Sequence, residues 1–382
     1  MANILLLGTG TQAFAIIKRL HKDGNKIFIV TGEKGNYADC SRYADVVIYH
    51  DNGEGYADFL KEIIESNSID VVIPMGDGSA ELLSRNKKDL ESVVNFKMPD
   101  YESFLKGYDK NKLMTLCREK GYPHPMTIDL SLTDYKEKKT FESFPFPGFL
   151  KPNCTTGGRG MRVINSYEEL VALYPEIRKE FGECHLQKFI KSGGRQVKVQ
   201  IYVNEKGELI SHSVLNKVRW YPIGGGSSCC AVTIEDSRIV QICHNILKDI
   251  NWVGFADFDT IEDPDTKELL IMEINPRLPA CIGAAVEAGV NWGQIIVDDY
   301  LGREQKNYNY IEGVALRHFG FDMLWFFKSP NRFKSEPNWF KFCGKNVYYQ
   351  DFRFEDQKPF WVGTYHNVKK LFDPSFRNAK KK

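Results

Sequence analysis

Two short runs of polar residues have the types and spacing of a metal–phosphate centre. Asp257-Phe258-Asp259 lies in an apolar, strand-like stretch, and the run 269–275 leads into Glu273-Ile274-Asn275-Pro276-Arg277. Glu273 and Asn275 are two residues apart, so on a strand both leave the same face. Opposite Asp257 on a neighbouring strand, they would supply the oxygen donors that Mg2+ shares with nucleotide phosphates. Arg277 would sit just past the strand end, where a phosphoryl group needs a cation. A plain pair of surface carboxylates is the alternative. The flanking Leu269-Leu270-Ile271-Met272 and Leu278-Pro279-Ala280 argue against full exposure.

A second constellation is the small-residue run Asn153-Cys154-Thr155-Thr156-Gly157-Gly158-Arg159-Gly160-Met161, between strands expected at 148–151 and 162–164. Such a loop can aim backbone N–H groups at a phosphate without side chains in the way. It is not a Walker A loop, because no Gly-Lys-Ser/Thr opens a helix. An ordinary hairpin is the competing reading. Met75-Gly76-Asp77-Gly78-Ser79 ends a further strand, at the carboxyl edge where α/β sheets bind ligands.

These residues need a scaffold, and the pattern outlines one. The apolar run Ile4-Leu5-Leu6-Leu7 predicts a buried strand, followed by the turn Gly8-Thr9-Gly10 and a helix over 13–23. Strands over 26–30, 44–49 and 69–74 and a helix over 56–66 complete an alternating pattern, which implies a parallel sheet with helices on both faces. The glycine turn lacks the third glycine of a dinucleotide fingerprint, since position 13 is Ala, and reads mainly as turn geometry. Beyond it, a helix is expected over 109–120. A second helix is expected within the polar segment 131–143.

Composition narrows the function classes. Among 382 residues, 51 Lys+Arg nearly cancel 50 Asp+Glu, so no global field steers nucleic acid. No window holds the ~18–20 apolar residues that span a bilayer. The start of the chain lacks a basic region and does not read as a signal peptide. Nine cysteines without a C-x-x-C spacing argue against a disulfide framework or structural zinc and for a reducing cytoplasm. Cys229-Cys230 reads as a pair of small buried thiols, and His124 and His318 as structural histidines with no carboxylate partner nearby in sequence. Residues 301–382 differ from the rest, with 16 Lys/Arg against 8 Asp/Glu and 20 of the 49 aromatic residues. Alternating stretches such as 347–354 predict strands that pack those rings into a small core covering the acceptor side of the site. A membrane contact is the weaker reading.

The order of motifs is more specific than any one of them. It runs Asp109-Lys110, Phe149-Leu150-Lys151-Pro152, the Thr155–Gly160 loop, Gln187-Lys188-Phe189-Ile190, Lys217-x-Arg219 with Gly224-Gly225-Gly226, Asp257-Phe258 and Glu273-Ile274-Asn275-Pro276-Arg277. From about residue 1 to residue 300 the chain resembles the ATP-grasp superfamily, in its carbamoyl-phosphate-synthetase-like and carboxylate–amine ligase branch. The resemblance implies an α/β chain in three parts. These are an amino-terminal parallel-sheet, Rossmann-like pre-ATP-grasp domain at 1–108, a two-part (α+β) ATP-grasp domain at 109–305, and a small aromatic and basic carboxy-terminal subdomain at 306–382.

It also implies roles. Lys110 and Lys151 would contact ATP phosphates, under a loop of Thr155, Thr156, Gly157, Gly158 and Gly160. Gln187, Lys188, Phe189 and Ile190 would form the adenine hinge, with backbone groups reading the base edge. Asp257, Glu273 and Asn275 would hold Mg2+, with Mn2+ as an alternative, while Arg277, Lys217 and Arg219 would serve the transferring phosphoryl group. The sequence departs from the family at Gln187-Lys188, often acidic there, and at Gln196, where a glutamate commonly orients the nucleotide. The implied activity is an ADP-forming ligase that makes an acyl phosphate from a small carboxylate and couples it to an amine. The implied setting is cytoplasmic, without nucleic-acid or membrane partners and compatible with a homodimer. Carbamoyl-phosphate-type chemistry on bicarbonate is opposed by the lack of an internal repeat. A non-catalytic nucleotide-binding protein is opposed by the intact Asp257, Glu273, Asn275 and Arg277 set.

Overall fold

The computed structural model describes residues 1–51, 53–155, 157–223 and 226–372. Thr156, Gly224 and Gly225, singled out above, lie outside them. The chain forms two compact units. The first comprises Met1–Phe104, Val197–Asp257 and Asn275–Lys369, and the second Leu105–Gln196 with Phe258–Ile274.

The first unit opens with β1 (Asn3–Leu7), β2 (Lys26–Thr31), β3 (Val46–Tyr49) and β4 (Val71–Pro74), in the order β3-β2-β1-β4 with every pair parallel. Ile4, Leu5 and Leu6 are fully buried. A strand covered on both faces needs an unbroken apolar run, as found here. Gly8 and Gly10 have φ of 121° and 115°, and a Cβ on Gly8 would stand 3.2 Å from Met75 Cβ, so turn geometry accounts for both glycines. The helix Thr11–Lys22 follows as expected, and Gly293 closes onto its Leu20.

In the second unit, β5 (Thr127–Asp129), β6 (Gly148–Pro152), β7 (Arg162–Ile164) and β8 (Cys184–Lys188) form a sheet of order β5-β8-β6-β7, antiparallel throughout. The helix Tyr167–Phe181 covers it with Leu170, Tyr174 and Ile177, against Leu150, Ile164 and Leu186. No α-helix forms within 131–143. That segment holds only a 3-10 turn at Lys138–Phe141. The Asp129 and Asp134 carboxylates accept from Ser131 N (2.8 Å) and Lys136 N (3.0 Å), local bonds that compete with a helical ladder.

The remaining strands are β9 (Gln196–Val203), β10 (Leu209–Tyr221), β11 (Ser227–Ile234), β12 (Gly254–Glu262), β13 (Leu269–Asn275), β14 (Ala315–Arg317) and β15 (Val347–Tyr349). They form one sheet in the order β13-β12-β9-β10-β11-β14-β15.

The aromatic carboxy-terminal segment is folded, as expected, but by a different route. Its richest part is a helix, Phe319–Lys328, and the strand expected over 347–354 stops at Tyr349. Gln350 N makes the last bond of the parallel pairing, to Arg317 O at 2.8 Å, and beyond it the buried Asp351 carboxylate accepts from Phe319 N at 3.1 Å. Trp325 and Trp339 pack with Cys229, supported by Tyr221, Phe321, Met323 and Phe326. Among the described residues no single helix is long and apolar enough to cross a membrane.

Candidate functional site

The second unit brings together two lysines, the glycine loop and one carboxylate. Asp109 caps the helix Lys110–Lys120, accepting from Asn111 N (2.9 Å) and Lys112 N (3.1 Å), which places Lys110 at the first helical position. Its Nζ donates to Thr155 O at 2.8 Å and lies 3.3 Å from Glu273 Oε2. Lys151 comes from β6, where it pairs with His185 of β8. Its Nζ donates to Gln187 Oε1 at 2.6 Å, and Gln187 Nε2 donates to Thr127 Oγ1 at 3.1 Å.

Lys151 is 8% exposed and Gln187 1%. The ammonium is therefore withdrawn from water and held by a neutral amide. Burial pushes its pKa down to about 8, with Lys110 adding to the fall and Glu273 opposing it. Beneath it His185 is fully buried, its Nδ1 2.8 Å from Asn153 Oδ1. Burial, then the charges of Lys151 and Lys110, holds the imidazole well below its ordinary pKa, so it is neutral.

Gly157, Gly158 and Gly160 all adopt positive φ (64°, 73° and 74°). A Cβ on Gly160 would meet the Phe181 ring at 2.7 Å, so that position accepts only glycine. Thr155 Oγ1 donates to Arg159 O at 3.0 Å. Cys154 is exposed, its Sγ 3.6 Å from Asp109 Oδ2.

The N–H groups of Lys188 and Phe189 donate to Met126 O (2.8 Å) and Pro147 O (3.1 Å), so these two donors hold the segment in place. Phe189 stacks on Phe149 at 5.1 Å, and Ile190 is buried. Lys188 reaches Asp263 at 3.8 Å. Gln196, at the start of β9, follows an Arg195–Glu262 pair (2.5 Å). There Gly194 lies so close to the Glu262 carbonyl that a Cβ would stand 1.9 Å from its oxygen.

The first unit holds the other named residues. Asp257 is fully buried, and its Oδ2 accepts from Lys198 Nζ at 2.7 Å and from Asn275 Nδ2 at 3.3 Å. Arg277 Nε and Nη2 donate to the two carboxylate oxygens of Asp77, at 3.1 and 3.4 Å. The Met75–Ser79 motif and the arginine thus meet, although 200 residues separate them in sequence. Lys198 and Asp77 were missed as partners because nothing in either local run marks the contact.

Lys217 and Arg219 do not form one cationic face. A β-bulge falls between them, since Lys217 pairs with Ala231 and Arg219 with Cys230. Lys217 is half-buried. Arg219 is fully buried and forks onto Asp322 at 2.6 and 2.9 Å, with a third bond to Pro337 O. Arg317 shares the same carboxylate at 2.7 Å. Arg219 therefore ties the helix Phe319–Lys328 to β10 rather than opening onto a ligand. Burial raises the pKa of both Cys229 and Cys230, the latter to about 12, so neither is an activated thiolate. His318 has a carboxylate partner after all, Asp351 at 3.0 Å, and lies 3.3 Å from the Tyr37 hydroxyl.

A buried lysine and a half-buried one beside a glycine loop suit a polyphosphate, and comparison with known proteins agrees. Residues 109–286 match the family model of the carbamoyl-phosphate synthase L chain, ATP binding domain. Through this segment, 178 of the 382 residues, the chain is similar to that ATP-binding domain. D-aspartate ligase of Enterococcus faecium is 24% identical over 265 residues, 64% of this chain and 60% of that protein. 3-Methyl-D-ornithine–L-lysine ligase of Methanosarcina barkeri is 26% identical over 302 residues, 76% of this chain and 71% of that one. The fold is similar to that of biotin carboxylase from Campylobacter jejuni, with a TM-score of 0.69 at 18% identity over 81% of this chain and 74% of that one. The chain thus spans less than two thirds of the D-aspartate ligase it resembles.

Proposed function

We propose that the protein is an ATP-dependent ligase that phosphorylates a small carboxylate and couples the acyl phosphate to an amine. A carboxylate resists attack because its leaving group would be oxide. Transfer of the γ-phosphoryl group releases ADP and makes phosphate the leaving group. The amine then attacks the acyl carbon, losing a proton, and an amide and phosphate result. This needs positioning and cations rather than a covalent nucleophile.

The observation that carries the reading is Lys151, a buried ammonium on a rigid strand whose hydrogen-bonding partner is neutral. Its charge is left for a ligand, and Lys110 stands beside the same loop at Thr155. Both would bind ATP phosphates, with the described loop residues Thr155, Gly157, Gly158 and Gly160 covering them and Lys188, Phe189 and Ile190 lining the adenine. Arg277, held by Asp77, and the half-buried Lys217 would serve the phosphoryl and acyl-phosphate oxygens.

Mg2+, or Mn2+ in its place, would supply charge neutralisation at the phosphates when bound. Glu273 suits it, with a side chain 32% exposed and only a 3.3 Å contact to Lys110. Asp257 does not suit it as it stands, being fully buried against Lys198. Among the described residues no group of three His, Cys, Asp or Glu side chains could hold a metal.

The relatives named as amino-acid ligases support a carboxylate and an amine as substrates. The domain division at 108 and 305, a cytoplasmic setting, a homodimer and a carboxy-terminal subdomain covering the acceptor side belong to the same proposal. Incubation with ATP, Mg2+ and pooled amino acids should release ADP and phosphate only when the pool is present. No ADP with any pool, and no binding of an ATP analogue, would overturn the reading.

A further inference from the structure

The carboxy-terminal segment packs only some of its rings. Trp339 is buried, stacks on Phe326 at 4.0 Å and donates from Nε1 to Asp322 O at 3.1 Å. Around that anchor Phe327, Phe333 and Phe340 stay 67%, 65% and 56% exposed. They form one patch rather than scattered rings. Phe326 lies beside all three, with ring centroids at 5.9, 5.6 and 5.7 Å, and Phe333 stacks on Phe340 at 6.3 Å. Hydrogen-bonded turns hold them outward: Lys334 N donates to Asn331 O at 2.9 Å, and Lys341 N to Asn338 O at 3.0 Å. A contiguous exposed apolar patch of this kind marks a contact surface.

The charge around the patch says what it fits. Residues 326–345 carry five cations, Lys328, Arg332, Lys334, Lys341 and Lys345, against one carboxylate, Glu336. The four lysines are exposed, and the Arg332 guanidinium lies over the Phe333 ring at 5.3 Å. A second copy of the chain would bring the same excess of positive charge to a shared contact. Rings more than half exposed stand out from the surface rather than line a groove for a peptide. We propose that this patch is a peripheral docking surface for an anionic phospholipid bilayer. The three phenylalanines enter the boundary between headgroups and acyl chains, and the cations meet the lipid phosphates. The contact is independent of the ligase reading and departs from the setting that the resemblance implies.

Sedimentation with vesicles tests it, using the full chain at low and at physiological ionic strength. Vesicles of phosphatidylcholine containing phosphatidylglycerol should pull the protein down, pure phosphatidylcholine vesicles should not, and salt should weaken the binding. Phe327→Ser, Phe333→Ser and Phe340→Ser combined should cut binding by at least about tenfold, as should Lys328→Glu, Lys334→Glu and Lys341→Glu combined. No binding to the anionic vesicles, equal binding to both kinds, or full binding by the phenylalanine variant would each overturn the proposal. A dimer in sedimentation velocity that the phenylalanine variant loses, with no lipid bound, would overturn it in favour of contact between copies. Should that variant not fold, Phe333→Trp reads insertion in its place. Bromine-labelled acyl chains should quench its fluorescence more than that of the wild type, and equal quenching would overturn the proposal.

Discussion

Lys151 and Arg219 are both strand-borne cations taken almost wholly out of water, yet their partners set them apart. Lys151 is held by the amide of Gln187, which offers an oxygen but no charge. Arg219 forks onto the carboxylate of Asp322, shared with Arg317. A buried charge that is fully paired is structural, and breaking the pair leaves an uncompensated ion. A buried charge against a neutral acceptor remains unneutralised in the protein alone and becomes useful when an anion arrives. The same contrast separates Lys198, paired to Asp257, from Lys151.

The largest effect should come from breaking the structural pair. Asp322→Ala leaves two buried guanidinium groups without their carboxylate, at a cost of about 3–5 kcal/mol. Denaturant unfolding should show that loss, and a change below about 1 kcal/mol would mean the cluster is not what holds the helix Phe319–Lys328. Lys151→Met should act in the opposite sense on stability, since it removes a burdened charge, while weakening AMP-PNP binding by about 10²-fold, the scale of a lost charge contact at a phosphate. Unchanged affinity would remove Lys151 from the nucleotide site.

Gln187→Glu would make Lys151 resemble Arg219 by giving it a charged partner. The lysine pKa should rise, and AMP-PNP affinity should fall by about tenfold as the ammonium is neutralised. A tighter complex would contradict the idea that the amide preserves charge for the ligand.

A smaller and graded effect is expected with pH. The Lys151 pKa is lowered to about 8, and bound phosphate favours the protonated form. Above about pH 8 binding must therefore take up a proton, and affinity should fall by up to about tenfold per pH unit. The sign for stability is the reverse. Between about 8 and the ordinary lysine value the unfolded chain binds more protons, so this group adds stability as pH rises. Isothermal titration in buffers of different ionisation enthalpy would detect the proton, and its absence at pH 8.5 would count against the assignment.

How much of this was legible in the sequence follows from how local each feature is. β1 declares itself because a doubly covered strand needs an unbroken apolar run, and the helix Lys110–Lys120 because Asp109 and Gly121 mark its ends. The site's residue types were legible for the same reason, since motifs are short. Their partners were not. Lys198 and Asp257 are 59 residues apart, Arg219 and Asp322 103, and Arg277 and Asp77 200. The bulge after Lys217 leaves no mark in composition, so two cations that alternate in sequence met different surroundings. The polar stretch 131–143 was misread because aspartate side chains there satisfy backbone N–H groups locally and defeat the helix.

The central claim is that ATP activates a carboxylate as an acyl phosphate, and oxygen transfer tests it most directly. Amino acids labelled with oxygen-18 in their carboxylates would be supplied as a pool with ATP and Mg2+, and the released phosphate examined by mass spectrometry. One carboxylate oxygen leaves with phosphate when the amine attacks, so each phosphate formed by ligation should carry one oxygen-18. Phosphate released with ADP but without the label would contradict carboxylate activation, whatever the protein binds.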